Sequence, residues 1–313
     1  MVDIPMTEVK LHHSSSNDHL VGSPEQRPLT SPTRQRFFSR KLSRRRILLV
    51  LFIVLFILAA ITVTSIEVLD PSRFQPDASN AADAEEPPPD IPSPLVPADY
   101  NGPPAPKFTM CTTPGKLALT FDDGPSTYTT AILNILKTQN VKATFFLIAS
   151  QIDASQGNRD NVLRTLAEGH EIGSHSWGHP EFTKIDQTQT IYQIDAAAAM
   201  IKKITGKSVK FFRFPYGYET AVGAKYLAQR GYNAYIHWDM DARDWSWTST
   251  KDYIAEYTRL LGQMNIGKDS IIALNHDTTK LNSDALSALI DTMRKNGWTY
   301  VKVSECLGLA AYE

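Results

Sequence analysis

KLALTFDDGPS, residues Lys116 to Ser126, sets an apolar strand-like run against two adjacent carboxylates and then a turn. Adjacent like charges repel, and Asp is a poor strand residue. Taken alone, Asp-Asp-Gly-Pro suits an ordinary turn. The rest of the chain decides whether Asp122 and Asp123 do more.

Outward from that run, six further short apolar stretches read as strands: Ala143–Ile148, Glu171–Ser174, Lys210–Phe214, Asn233–His237, Ser270–Leu274 and Thr299–Val303. Helical stretches lie between them, including 132–138, 185–205 and 285–296. Strand–helix alternation of this kind predicts parallel strands covered by helices, as an open doubly wound sheet or a barrel. Residues 108–313 suffice to bury such a core.

The remainder has a different texture. Residues 1–66 hold nine Lys/Arg against four Asp/Glu, and residues 67–313 hold 23 against 29. The larger part is acidic, which argues against a nucleic-acid partner. Residues 47–66, ILLVLFIVLFILAAITVTSI, carry no charge, Pro or Gly and are long enough as a helix to cross a bilayer. Seven Lys/Arg and no acid in residues 34–46 orient that span with its amino terminus inside. The run exceeds a usual signal-peptide core and 46 residues precede it, so an uncleaved signal anchor is expected.

The expected organisation is a disordered cytoplasmic tail (1–46), a single transmembrane span (47–66), a Pro-rich stalk (67–107) and a folded domain (108–313). The stalk has eleven of the nineteen prolines. This makes a single-pass type II membrane protein, its domain facing the lumen or exterior at the plasma membrane or Golgi. No N-x-[ST] sequon occurs. The two cysteines, Cys111 and Cys306, can pair in an oxidising compartment, with two buried thiols as the alternative.

The unusual polar clusters fall where strands end: Asp122-Asp123, SHSWGHP (174–180), RFPYG (213–217), DARDW (241–245) and LNHD (274–277). Parallel βα architectures place ligands and catalysis at those ends. His175 and His179, four apart, can face one ion from a helical turn, although HxxxH alone also fits capping or packing histidines. A carboxylate from Asp122-Asp123 would complete a two-His, one-carboxylate set and leave the other aspartate free as a base.

In order and wording, TFDDGPS, HSWGH, RFPYG, DARDW and LNHD resemble the five motifs of the polysaccharide deacetylase (NodB homology) domain of carbohydrate esterase family 4, in its fungal chitin deacetylase form. The resemblance implies a distorted (β/α)7 barrel. It implies that Asp123, His175 and His179 bind a divalent metal, zinc or in some members cobalt. It makes Asp122 the general base, Arg213 the group orienting it, His276 the general acid and Asp241 the residue tuning that acid. Trp245 and Leu274 would shape the acetyl pocket, the Tyr216 backbone N–H would face the oxyanion, and Cys111–Cys306 would be a disulfide. The family's Pro in the arginine motif is Phe214 here.

The expected function is metal-dependent N-deacetylation of N-acetylglucosamine polymers, chitin to chitosan and acetate, in cell-wall modification. Alternatives are another polysaccharide, such as peptidoglycan or acetylated xylan, or a silent glycan-binding module. Trp245 could be a core aromatic, and Arg213–Asp241 a plain structural pair.

Overall fold

A computed structural model describes residues 100–313. The expected tail and span, and most of the expected stalk, lie outside the described residues. Among those described, no helix is long and apolar enough to cross a membrane.

The run that opened the sequence reading is strand β2 (Lys116–Asp122), preceded by the two-residue β1 (Lys107–Phe108). The others are β3 (Thr144–Leu147), β4 (Glu171–Ser174), β5 (Phe211–Phe212), β6 (Ala234–Ile236), β7 (Met240–Asp241), β8 (Ile271–His276) and β9 (Thr299–Val301). Among the described residues these strands all pair in parallel, in the order β1-β6-β5-β4-β3-β2-β8-β7, with β9 also on β2. The pairing path does not close on itself. The resulting curled half-barrel fits the expected distorted (β/α)7 barrel, with β1 and β7 added to the seven strands read from sequence. The sheet also takes in Lys107, and the Ala105 N–H donates to Ala224 O at 2.9 Å, so the packed domain begins before residue 108.

Strand alternation sorts the side chains into two layers. Leu117, Leu119, Phe121, Phe145 and Ile271 join the cluster under the helices, while Ala118, Phe146 and Ile272 point to the inner face of the curl. The outer layer is covered by α1 (Thr129–Gln139), α2 (Ala149–Asp153), α3 (Gln156–Ala167), α4 (Gln187–Thr205), α5 (Ala221–Gln229), α6 (Thr250–Leu261) and α7 (Lys280–Lys295). In α4, Ile191, Ile194, Ala197 and Ile201 recur at helical spacing and are buried. Asp186 caps the helix by accepting from the Gln189 N–H, and Gly206 ends it in the left-handed region. The short α8 (Val303–Leu307) carries Cys306, which is disulfide-bonded to Cys111.

Inner-face parity puts Thr120 and Asp122 in line with Ala118, Arg213 in line with Phe211, and Leu274 and His276 in line with Ile272. Register does the rest: Asp122 is the partner of His276 across β2–β8, and Asp241 that of Leu274 across β7–β8. The polar ends of five strands therefore meet at one mouth of the curl.

Candidate active site

Asp123 follows β2 with φ of 71°, and Ser176 and His179 also hold positive φ. Three non-glycine residues in the left-handed region within one small site mark a backbone held by its surroundings. The expected helical turn from His175 to His179 is not formed, and Ser176 and His179 break it. Instead the loop is pinned to α4: Gln193 Oε1 accepts from the Gly178 N–H at 2.7 Å and Gln193 O from the Trp177 N–H at 3.0 Å.

The loop nevertheless brings the ligand atoms together. His175 Nε2 and His179 Nε2 stand 3.3 and 3.1 Å from Asp123 Oδ1, and one ligand atom from each residue lies within 4.8 Å of the others. Asp123 Oδ1 is buried and, among the described residues, accepts no hydrogen bond. His175 Nδ1 lies 2.8 Å from the Arg213 carbonyl, which can only accept, so that nitrogen carries the proton. In its neutral form the ring turns a lone pair from Nε2 toward a carboxylate oxygen. A cation between them resolves that arrangement, and the donor set of two imidazoles and one carboxylate suits a divalent metal.

Asp122 is 2% exposed and is held by a different group. Arg213, fully buried, donates from Nη1 to Asp122 Oδ1 at 2.7 Å and to Thr120 Oγ1 at 2.8 Å. Its Nε and Nη2 donate to the carbonyls of Ile236 and His237, and its guanidinium lies 4.1 Å from the Phe146 ring centroid. Burial pulls the Arg213 pKa down, and the Asp122 charge opposes the shift. Asp122 Oδ2 lies 3.8 Å from His175 Nε2, beside the cluster.

His276 completes the mouth, its Nε2 lying 4.0 Å from Asp123 Oδ2. Its partner corrects the sequence expectation. Asp244, not Asp241, bonds His276, through Nδ1 and through the backbone N–H, both at 2.7 Å. Asp241 instead accepts from the Arg243 N–H at 2.7 Å and lines the cleft. The switch comes from Arg243, whose φ of 52° turns the chain so that Asp244 faces inward. Burial works against charge on His276, but the Asp244 hydrogen bond and charge, with Asp122 and Asp123 behind them, raise its pKa to about 9. The alternative pairing of Arg213 with Asp241 is not formed, since Arg213 pairs with Asp122.

The cleft over these groups has a volume of about 480 Å³, and its walls include Tyr216, Tyr218, Trp238, Trp245 and Leu274. Trp245 is 62% exposed, so it is not a core aromatic. The Tyr216 ring packs edge-on against His179 at 4.6 Å. Tyr218 and Trp238 were not singled out from sequence; neither lies among the motif residues given a role. Asp277, which the sequence left without a role, is buried behind the mouth, accepts from Thr129 Oγ1 at 2.5 Å, and is pushed by burial to about 7. A Cβ on Gly124 would come within 2.5 Å of that carboxyl, so only glycine fits there.

A curled parallel α/β sheet with two imidazoles and a carboxylate converging beside a separate, Arg-held carboxylate defines a class: hydrolases that work at a metal site. Residues 109–235 match the polysaccharide deacetylase family. A chitin deacetylase of Colletotrichum lindemuthianum is 35% identical over 205 residues, covering 64% of this chain and 82% of that one. The solved structure of the chitin deacetylase from that fungus covers 68% of this chain and 97% of its own, with TM-score 0.63 and 32% identity. A peptidoglycan-N-acetylglucosamine deacetylase of Listeria monocytogenes is 35% identical over 209 residues, covering 65% of this chain but only 41% of its own length. The chain belongs to the polysaccharide deacetylase family.

Proposed function

We propose that this chain hydrolyses the N-acetyl amide of N-acetylglucosamine units in a polysaccharide, chitin first among them, releasing acetate and leaving a free amine. The observation that carries the reading is the division of labour among side chains in one cleft. Asp123, His175 and His179 form a ligand set, while Asp122 is kept apart from it by Arg213.

A divalent cation on Asp123, His175 and His179, zinc by the donor chemistry with cobalt as the alternative, would supply Lewis acidity and lower the pKa of a water. Asp122, held by Arg213, accepts the proton of the attacking water. His276, charged through Asp244, gives a proton to the departing amine nitrogen. The Tyr216 N–H is assigned to the developing oxyanion, where such a donor is worth about 10²–10³ in rate. Trp245 and Leu274 take the acetyl methyl, with Asp241 on the cleft wall beside them.

The choice of chitin rests on the cleft's charge as well as on kinship. Among the described residues lining it there is no Lys or Arg. A neutral sugar needs no such partner, whereas the carboxylate of a muramic unit would. The apolar run at 47–66 and its basic flank support a type II signal anchor, a stalk, and a domain facing the lumen or cell wall.

The test is acetate release by the purified, zinc-loaded chain from chitin oligomers, peptidoglycan and acetylated xylan, before and after chelation. Chitin oligomers should be turned over fastest, and chelation should abolish the reaction. Activity that survives chelation overturns the mechanism, and a preference for peptidoglycan or xylan overturns the substrate.

A further inference from the structure

Asp277 has no part in the chemistry proposed above, yet it sits where two pieces of that chemistry meet. It follows His276 at the end of β8 and is 0% exposed. Opposite, the chain leaves β2 through Asp122 and Asp123, turns at Gly124 and enters α1 at Thr129. The β2–β8 register ends at the pair Asp122 and His276, one residue short of Asp123. Asp123 itself holds φ of 71°, a conformation that persists where its surroundings enforce it.

Asp277 carries the joint onward from the end of the sheet. Its N–H donates to the Asp122 carbonyl at 3.3 Å, its carbonyl accepts from Ser126 Oγ, and its Oδ2 accepts from Thr129 Oγ1 at 2.5 Å. Thr129 Oγ1 in turn accepts from the Ser126 N–H at 2.7 Å. An amide N–H can only donate, so the hydroxyl proton goes to the carboxyl and the chain of bonds has one polarity. Thr129 is 1% exposed, which leaves little water to replace a lost bond. Gly124 presses on the same carboxyl, where a Cβ would come within 2.5 Å. The other oxygen, Asp277 Oδ1, is buried and accepts no hydrogen bond among the described residues. Burying an oxygen without a partner costs stability, and folds break that rule characteristically at functional sites. A space that only needed filling would be filled by hydrocarbon.

We propose that Asp277 is a positioning residue. Through Thr129 and Ser126 it clamps the turn after β2 to the end of β8, and so sets where Asp122 and Asp123 stand relative to His276. The spacing it guards includes the 4.0 Å between Asp123 Oδ2 and His276 Nε2. Asp277 is not among the residues that line the cleft, so it acts through others. The inference rests on the deacetylase reading for the roles of those others. Losing the clamp displaces a ligand and the base together, which weakens the hold on a cation and slows the chemical step. The walls that meet the sugar, Tyr216 and Trp245 among them, belong to other segments and keep their place.

The experiment compares Asp277→Ala, Thr129→Val and Thr129→Ser in the full chain. Thr129→Val removes the hydroxyl at nearly the same shape, and it decides the matter if Asp277→Ala does not fold. Zinc affinity is read by competition with a chromogenic chelator, and turnover by acetate release from chitin oligomers. In Asp277→Ala and Thr129→Val the zinc Kd should rise, and kcat fall, by about 10- to 100-fold each, with KM within about twofold of wild type. Thr129→Ser, which keeps the hydroxyl, should restore both. Met293→Ala, in the buried core at the last turn of α7, serves as a destabilised control and should lower the urea midpoint while leaving zinc Kd and kcat unchanged. A Thr129→Val chain that loses stability but keeps wild-type zinc Kd and kcat overturns the proposal, as does a rise in KM with kcat unchanged. Absence of acetate from the wild-type chain removes the deacetylase reading instead, and the zinc comparison still decides the clamp.

Discussion

Asp244 grips His276 at two points, accepting from its backbone N–H at Oδ2 and pairing with ring Nδ1 at Oδ1. That double contact fixes the ring and leaves Nε2 for the cleft. Burial alone would favour the neutral imidazole, and Asp244 overrides it to raise the pKa to about 9. A group with a raised pKa stays protonated until pH passes that value, so His276 carries at neutral pH the proton that the proposed acid must give. Asp244→Asn should move the alkaline limb of the kcat/KM–pH profile toward lower pH and cost about tenfold or more in activity above neutrality. Asp241→Asn should leave that limb where it is. If the Asp241 variant moves the limb and the Asp244 variant does not, the acid has been assigned the wrong partner.

The two adjacent aspartates should separate cleanly. Asp122→Asn keeps the ligand set intact and should retain bound metal at wild-type stoichiometry while losing about 10²–10⁴ in kcat. Asp123→Asn removes one of three ligands and should lose the metal itself. Metal content by atomic absorption, measured beside turnover, checks both. Metal loss in the Asp122 variant would reverse their roles.

Arg213 and Asp122 form a fully buried pair, 0% and 2% exposed. Removing one member leaves the other's charge unpaired in the interior, which costs about 3–5 kcal/mol. Replacing both by uncharged groups leaves no lone charge behind. Arg213→Met should therefore be strongly destabilised to urea, and adding Asp122→Asn to it should recover part of that loss without recovering activity. A double variant no more stable than Arg213→Met would show that the lone Asp122 carboxylate costs little, and that the loss comes from the guanidinium's other contacts, to Thr120, Ile236 and Phe146.

Much of this was legible because strand ends are physically special. The apolar run Glu171–Ser174 was read with its observed bounds, and the five polar clusters meet at one mouth because parallel strands end together. What escaped depends on backbone detail. DARDW offers two carboxylates three residues apart, and only the left-handed turn at Arg243 decides that Asp244 reaches His276. HxxxH spacing suggested a helical turn, but positive φ at Ser176 and His179 forms a loop instead. Strands β1 and β7 are two residues long, too short for alternation to register. Helix α3, QGNRDNVLRTLA, buries only Asn161, Val162 and Thr165, so its apolar stripe is nearly absent.

Cys111 and Cys306 close a loop with a sequence separation of 195 and tie α8 to the segment before β2. Constraining so long a loop in the unfolded chain contributes up to ~5 kcal/mol in the chain-entropy account. Cys111→Ser/Cys306→Ser should lower Tm and shift the denaturant midpoint down, with metal binding preserved, since the bridge lies among inner-face residues such as Ala118 and Val303 rather than at the mouth. Loss of the metal along with the bridge would mean that the site depends on it directly.

His170 gives the domain an acid sensitivity that has nothing to do with catalysis. It is 3% exposed, its Nδ1 accepts from the Ala143 N–H at 3.1 Å, and its ring meets Phe145 edge-on at 5.7 Å. Burial, with Lys142 adding to it, lowers its pKa from 6.5 to about 4. Because the folded value is depressed, the unfolded chain takes up the proton first as pH falls. Stability from this residue is complete above about pH 6.5 and drains away between there and pH 4. A depression of that size corresponds to ~3 kcal/mol. His170→Asn keeps an acceptor for Ala143 and removes the titration. The difference in urea midpoint between wild type and variant should therefore change in the variant's favour as pH drops from 7 to 4. A difference that stays flat across that range would mean that the imidazole takes up its proton as readily in the folded domain as in the unfolded chain.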